Sequence, residues 1–309
     1  MMRNSVRAVL AGAVACGALV TAITVGRGGD DDQAPPQGPY VALGDSYTSG
    51  PGIPSQATTP AGCARSDRNY ASLVARQLAL DTADFRDMSC SGAKIADLSS
   101  PQSTQDGVNP AQLSALTART ALVTIGVGGN DIGFAATVQE CVKKGVVHRL
   151  TGSGRFTGND APCHGEYASD GADEVARRID AAGARLSGAL AEVKRRAPRA
   201  EVYVVGYPAI LPSEGNRCDD DMTLAPGDVR FLDAKEQQLN AALRKRATTA
   251  GAVYVDTYGP SVGRDACAAG GTRWIEPLMP VADAAPLHPN ERGERGMADA
   301  VLRALKATG

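Results

Sequence analysis

The stretch YVALGDSYTSG, Tyr40 to Gly50, decides how this chain is read. Its first four residues, Tyr40 to Leu43, are apolar and run straight into a glycine and an aspartate, the pattern of a short buried strand that ends in a turn. Ser46 follows directly, between Asp45 and Tyr47, in a turn bracketed by Gly44 and Gly50. A serine so placed is lifted to the rim of a sheet. Serine after glycine and aspartate is also ordinary turn or helix-capping chemistry, so the stretch alone assigns no activity. The nucleophile-elbow pattern G-x-S-x-G is not met, because Thr48 stands at its second glycine.

Outward from this stretch, further short apolar runs followed by turn residues predict strands at about Phe85 to Met88, Ala121 to Ile125, Glu201 to Val205 and Ala252 to Asp256. Between them, apolar residues at three- and four-residue spacing predict helices over Tyr70 to Leu80, Asp173 to Arg196 and Asp228 to Thr249. A last helix is predicted over Glu291 to Lys306 with Asn290 as its N-cap. Strands alternating with helices imply an α/β domain with a mainly parallel sheet covered on both faces. The active crevice of such a sheet lies outside the carboxyl ends of its strands. There the sequence places GDSYTSG after the first strand, MSCSGA (Met88 to Ala93) after the second and GVGGND (Gly126 to Asp131) after the third. Two longer stretches, Thr137 to Gly171 and Tyr207 to Gly227, read as loop insertions above that crevice.

GVGGND is not a dinucleotide fingerprint, since G-x-G-x-x-G needs glycine where Asp131 stands. It does offer close backbone approach and then the Asn130 amide, a neutral donor suited to an oxyanion. The chain has three histidines. His148 and His164 lie in the first insertion without metal-ligand spacing and read as surface residues. His288, in PLHPN, sits just before the last helix, where the rigid Pro289 can hold an imidazole over the crevice as a general base.

The 32 basic and 34 acidic residues nearly balance, so nothing points to nucleic acid as a partner. Residues 1–29 open with Arg3 and Arg7 and continue through an apolar run from Ala8 to Val25, the layout of a secretory signal peptide; an uncleaved anchor is the alternative. Residues 30–39, rich in Asp and Pro, read as a flexible linker. Residues 40–309 form the folded domain. Cys63, Cys90, Cys141, Cys163, Cys218 and Cys267 are an even set, which three disulfides would satisfy in an oxidising compartment. Spacing alone leaves their pairing open, and none forms a C-x-x-C pair suited to zinc or redox chemistry.

GDSYTSG, CSGA, GGND and HPN, in this order, resemble the four blocks of the SGNH, or GDSL, hydrolase family. The cysteine-bearing loops and TRWIEP (Thr272 to Pro277) narrow the likeness to extracellular lipases and esterases of actinomycetes such as the streptomycetes. The likeness runs from Tyr40 to the C-terminus. It implies a single flavodoxin-like α/β/α domain, Ser46 as nucleophile, His288 as base, and an oxyanion hole from the Ser46 and Gly92 amides with the Asn130 side chain. It also implies disulfides Cys63 to Cys90, Cys141 to Cys163 and Cys218 to Cys267. The expected protein is then a secreted, monomeric ester hydrolase that needs no metal, cofactor or protein partner and takes a small-molecule or lipid ester. Phospholipase A or carbohydrate deacetylase activity on the same machinery is the alternative, and a non-catalytic binding module a further one. One position departs from the family pattern D-x-x-H: Ala285 stands where the aspartate would be. The imidazole still needs an acceptor for its Nδ1 proton. The resemblance implies the Ala285 carbonyl, and Asp283 is the second candidate.

Overall fold

In the computed structural model, residues 38–152, 154–167, 173–213, 218 and 222–308 are described. The expected leader and most of the expected linker lie outside the described residues. Five strands make the central sheet: β1 (Tyr40–Gly44), β2 (Phe85–Asp87), β3 (Leu122–Gly126), β4 (Glu201–Val205) and β5 (Val253–Val255). They are all parallel, in the order β2-β1-β3-β4-β5, which is the flavodoxin-like arrangement. The longer helices are α1 (Tyr70–Gln77), α2 (Phe134–Thr151), α3 (Glu174–Arg196), α4 (Pro226–Thr249) and α5 (Glu291–Thr308).

Successive side chains of a strand point to opposite faces, so each apolar strand feeds two cores. Val41, Leu43, Val123, Ile125 and Val204 pack on one face against Ile179, Leu186 and Val193 of α3 and Leu232, Leu239 and Leu243 of α4. Tyr40, Ala42, Leu122, Tyr203 and Val205 pack on the other against Tyr70 and Val74 of α1 and Met297, Val301 and Leu305 of α5. A fully buried Leu, Ile or Val contributes roughly 2 kcal/mol, and this double burial is why the strands read as continuous apolar runs. Side-chain caps begin three of these helices, α1, α3 and α5: Asn69 accepts from the Ser72 amide, Asp173 from Ala176, and Asn290 from Arg292 and Gly293.

One expectation fails. The stretch from Thr137 was expected to be a loop insertion, yet α2 fills residues 134–151. Val138, Cys141 and Gly145 are buried at helical spacing, but Val146, Val147 and Leu150 are exposed. Apolar residues therefore surround the helix and no single stripe marks it.

The disulfides join Cys63 to Cys90, Cys141 to Cys163 and Cys218 to Cys267, as the resemblance implies. All six cysteines lie in connections that follow the carboxyl ends of strands. The chain leaves β1 toward β2 on one side and β3 toward β4 on the other, so the sheet reverses direction between β1 and β3. The crevice that opens at such a reversal is the natural ligand site.

Candidate active site

Gly44 ends β1 at that reversal, and its backbone is held from both sides by one buried side chain. The Gly44 N–H donates to Gln112 Oε1 at 2.8 Å, and its carbonyl accepts from Gln112 Nε2 at 2.9 Å. Glycine is required here because a Cβ would lie 2.1 Å from Thr48 Oγ1 and 2.6 Å from the Gly126 carbonyl. Asp45 then caps a single helical turn, Ser46–Ser49, accepting the Tyr47 amide at 3.0 Å. The cap places Ser46 as the first residue of the turn, 6 % exposed at the mouth of the crevice.

His288 reaches Ser46 from the far end of the chain: its Nε2 lies 2.8 Å from Ser46 Oγ. Its Nδ1 lies 2.7 Å from the carbonyl oxygen of Pro286. This corrects both candidates for the histidine-orienting group. The Ala285 carbonyl instead accepts the backbone N–H of His288 at 3.2 Å, and Asp283 is exposed. The reason is local backbone shape. Leu287 has φ of 62°, a left-handed conformation that turns the Pro286 carbonyl back under the ring of the residue two places on.

That costly conformation is held by surroundings that over-determine it. Leu287 N–H donates to the Glu276 carbonyl and Glu276 N–H to the His288 carbonyl, each at 3.0 Å. Tyr47 Oη donates to the Leu287 carbonyl at 2.5 Å, and the Ala285 amide to the Pro51 carbonyl at 2.8 Å. The Glu276 side chain accepts from Asn290 Nδ2 at 2.7 Å and from the amides of Val281 and Ala282 at 2.9 and 3.1 Å. Burial alone would raise this carboxyl, but those hydrogen bonds outweigh it and hold Glu276 below its ordinary range. Burial lowers the His288 pKa below the usual 6.5, against the opposing pull of the Pro286 carbonyl, so the ring is neutral at pH 7.

Gly92 and Asn130 line the same cavity as Ser46. Gly92 has φ of 78°, a conformation glycine adopts without steric penalty. Asn130 Nδ2 donates one proton to the Ala93 carbonyl at 2.9 Å, and Asp131 Oδ2 accepts the Ile95 amide at 2.9 Å. The segment after β3 thus clamps the segment after β2, and the second Asn130 amide proton has no partner among the described residues. Tyr207, the second residue past β4, ties this clamp to the serine turn: its hydroxyl donates to Asp45 Oδ2 at 2.5 Å and accepts the Gly129 amide at 2.7 Å. Burial raises Asp45 to about 7, opposed by the bonds from Tyr207 and Tyr47.

The cavity holds about 330 Å³. Ser46, Gly92, Asn130 and His288 supply polar lining, while Phe134, Ile210, Leu239, Leu278 and Leu287 supply apolar lining. Phe134 comes from the helix expected as loop. His148 and His164 lie elsewhere, as expected, one 3.2 Å from Asp160 Oδ2 and the other stacked on Phe231 at 4.7 Å between ring centroids. Gln112, Tyr207, Glu276 and Pro286 escaped sequence reasoning. For Tyr207 a signal was available, its place just past a strand's carboxyl end; the others carry none.

Residues 42–295 match the GDSL-like Lipase/Acylhydrolase family. "Lipase 2" of Streptomyces coelicolor is 40 % identical over 277 residues, covering 88 % of each chain. Among solved structures, the extracellular lipase of Streptomyces rimosus superposes with a TM-score of 0.69 at 28 % identity, covering 86 % of this chain and 99 % of that one. Phospholipase A1 of Streptomyces albidoflavus NA297 superposes with a TM-score of 0.68 at 27 % identity, covering 88 % and 99 %. This chain belongs to the GDSL-like lipase/acylhydrolase family and is a carboxylic ester hydrolase.

Proposed function

We propose that the chain is a secreted lipase or carboxylesterase that cleaves acyl esters through a Ser46 acyl-enzyme. The observation that carries this reading is the 2.8 Å contact between Ser46 Oγ and His288 Nε2, made inside a cavity that also presents Gly92, Asn130 and apolar side chains. Neutral His288 takes the Ser46 proton as the oxygen attacks the ester carbonyl. The Ser46 and Gly92 amides and the free Asn130 proton receive the oxyanion, a donor of this kind contributing roughly 3 kcal/mol to the transition state. The imidazolium then protonates the leaving alcohol. In the second half His288 draws a proton from water as its oxygen attacks the acyl carbonyl, then returns that proton to Ser46 Oγ as the acyl–oxygen bond breaks, which releases the acid and restores the serine. The Pro286 carbonyl keeps the Nδ1 proton in place throughout, fixing the tautomer that points the Nε2 lone pair at Ser46.

Export is supported by the apolar leader-like segment and by three disulfides. Among the described residues no helix is long and apolar enough to cross a membrane. We read the working unit as a monomer. Phospholipase A activity is the second reading, favoured by the likeness to the Streptomyces albidoflavus enzyme.

Initial rates on p-nitrophenyl esters of graded chain length, beside a phospholipid, test this reading. Ser46→Ala and His288→Ala should each abolish turnover with folding intact, and Asn130→Ala should lower kcat about 10²- to 10³-fold with little change in KM. Substantial turnover in either of the first two would overturn the assignment.

A further inference from the structure

Seven large apolar side chains are exposed among the described residues, and five of them belong to the two segments that wall the substrate cavity. Val146, Val147 and Leu150 stand on α2, and Met279 and Val281 on the loop before His288. Single exposed apolar residues need no explanation, but a group gathered at one opening does. On α2, Ala135 and Gln139 line the cavity. Ala135, Gln139, Val146 and Leu150 are spaced by 4, 7 and 4 residues, close to one, two and one helical turns, so all four share a face. The buried Phe134, Val138, Cys141 and Gly145 take a different one. An exposed stripe therefore leaves the cavity mouth and runs about 16 Å along the helix.

The helix is anchored while it presents that stripe. Cys141 is bonded to Cys163, and Gly145 lies so close to the Thr223 carbonyl that a Cβ would come within 2.1 Å of it. On the loop side, Leu278 lines the cavity, and the uncharged run Met279, Pro280, Val281 and Ala282 that follows it is exposed. Met279 is 82 % and Val281 83 % exposed. Glu276 accepts the amides of Val281 and Ala282, so a fixed backbone carries this apolar tip. The cations of α2 are engaged locally: Lys143 Nζ lies 3.4 Å from Glu140, Lys144 pairs with Glu166, and Arg149 is turned onto the Gly154 carbonyl and the Phe156 ring. Asp283 borders the loop tip. A surface that is apolar, has its cations engaged and is continuous with a cavity for an ester chain fits an aggregate that displays such chains.

We propose that α2 and the 278–282 loop form a docking rim for a lipid surface of no net charge, with Val146, Leu150, Met279 and Val281 entering it, so that ester chains pass from the aggregate into the cavity. This rests on the ester-hydrolase reading above and adds where the substrate is held before it reaches Ser46.

The exported chain carrying Ser46→Ala, which binds without hydrolysing, is co-sedimented with phosphatidylcholine vesicles, alone and with Met279→Gln, Leu150→Gln or both added. In parallel, the same surface changes are made in the active chain, and kcat/KM is measured on p-nitrophenyl acetate in solution. The Ser46→Ala chain should partition onto the vesicles. Each glutamine should lower the partition coefficient about tenfold, as expected for withdrawing one large apolar side chain from the lipid. The rate on the soluble ester should stay within about twofold. Absence of partition overturns the rim, and so does partition that both changes leave untouched. Partition that appears only with added phosphatidylglycerol and vanishes in salt marks charge attraction and overturns it too. Light scattering that finds dimers broken by the same glutamines assigns the surface to a second copy, against the proposal. A soluble-ester rate that falls in step with partition places these side chains in the cavity or the fold and likewise refutes it. If the wild type hydrolyses no ester in any form, the function falls, while vesicle partition still decides the rim.

Discussion

Ser46 and His288 meet through a contact that spans 242 positions of sequence, and the group that aims His288 is a main-chain carbonyl. A carbonyl holds the tautomer as a carboxylate does but brings no full charge to the imidazolium. Asp283→Asn should therefore leave kcat within about twofold of the wild type, whereas removing a true triad acid costs about 10⁴-fold. Steady-state rates of that variant decide between the two. The base works only when neutral, and burial has moved its pKa below 6.5, so the acid limb of the kcat/KM profile should fall below pH 6.5. A pH-rate profile with its acid midpoint above that value would contradict the geometry. Tyr207 is the residue on which the oxyanion turn leans. Tyr207→Phe strands both the Gly129 amide and Asp45 Oδ2, and should cost about 1–3 kcal/mol in urea unfolding while lowering kcat more than it raises KM.

The loop that carries His288 has little regular structure of its own and borrows rigidity from the Arg273–Glu276 segment, against which Ile275 and Pro289 pair in an antiparallel bridge. Glu276 is the pin, accepting from Asn290, Val281 and Ala282 at once. Because its folded pKa is depressed from 4.5, its contribution to stability is complete above that value and drains away as pH falls through the lower folded pKa. Thermal melts across the acid range should show the wild type losing stability below pH 4.5, and Glu276→Gln should be less stable at neutral pH yet flatter below it. An unchanged acid slope in that variant would show that the pin lies elsewhere.

For the molecule as a whole, the sheet supplies a rigid floor and the disulfides tie down what stands on its rim. The cross-links span 27, 22 and 49 residues, and in the chain-entropy model each adds about 3 to 4 kcal/mol. They bind connections that carry or adjoin the site, so reduction should lower the melting temperature and the esterase rate together. Ellman titration of the exported protein should find no reactive thiol. Activity that persists after complete reduction would separate the site from its staples.

Much of this was legible in the sequence because local patterns report local physics. Tyr40 to Leu43 reads as a buried strand because each residue packs on one core or the other, and Asn290 reads as a cap because it bonds within its own helix. Helix α2 escaped because apolar residues lie all round it, so periodicity carries no signal even where burial is helical. Ser46, Gly92, Asn130 and His288 stand at strand ends or before a helix, where topology must gather them, and their blocks stand out in the linear chain. The Pro286 carbonyl, the Gln112 clamp on Gly44 and the Tyr207 bridge were decided only by the tertiary structure. The reason is physical: each depends on a backbone angle or on a partner dozens to hundreds of residues away, and neither is encoded in the residue's type or its immediate neighbours.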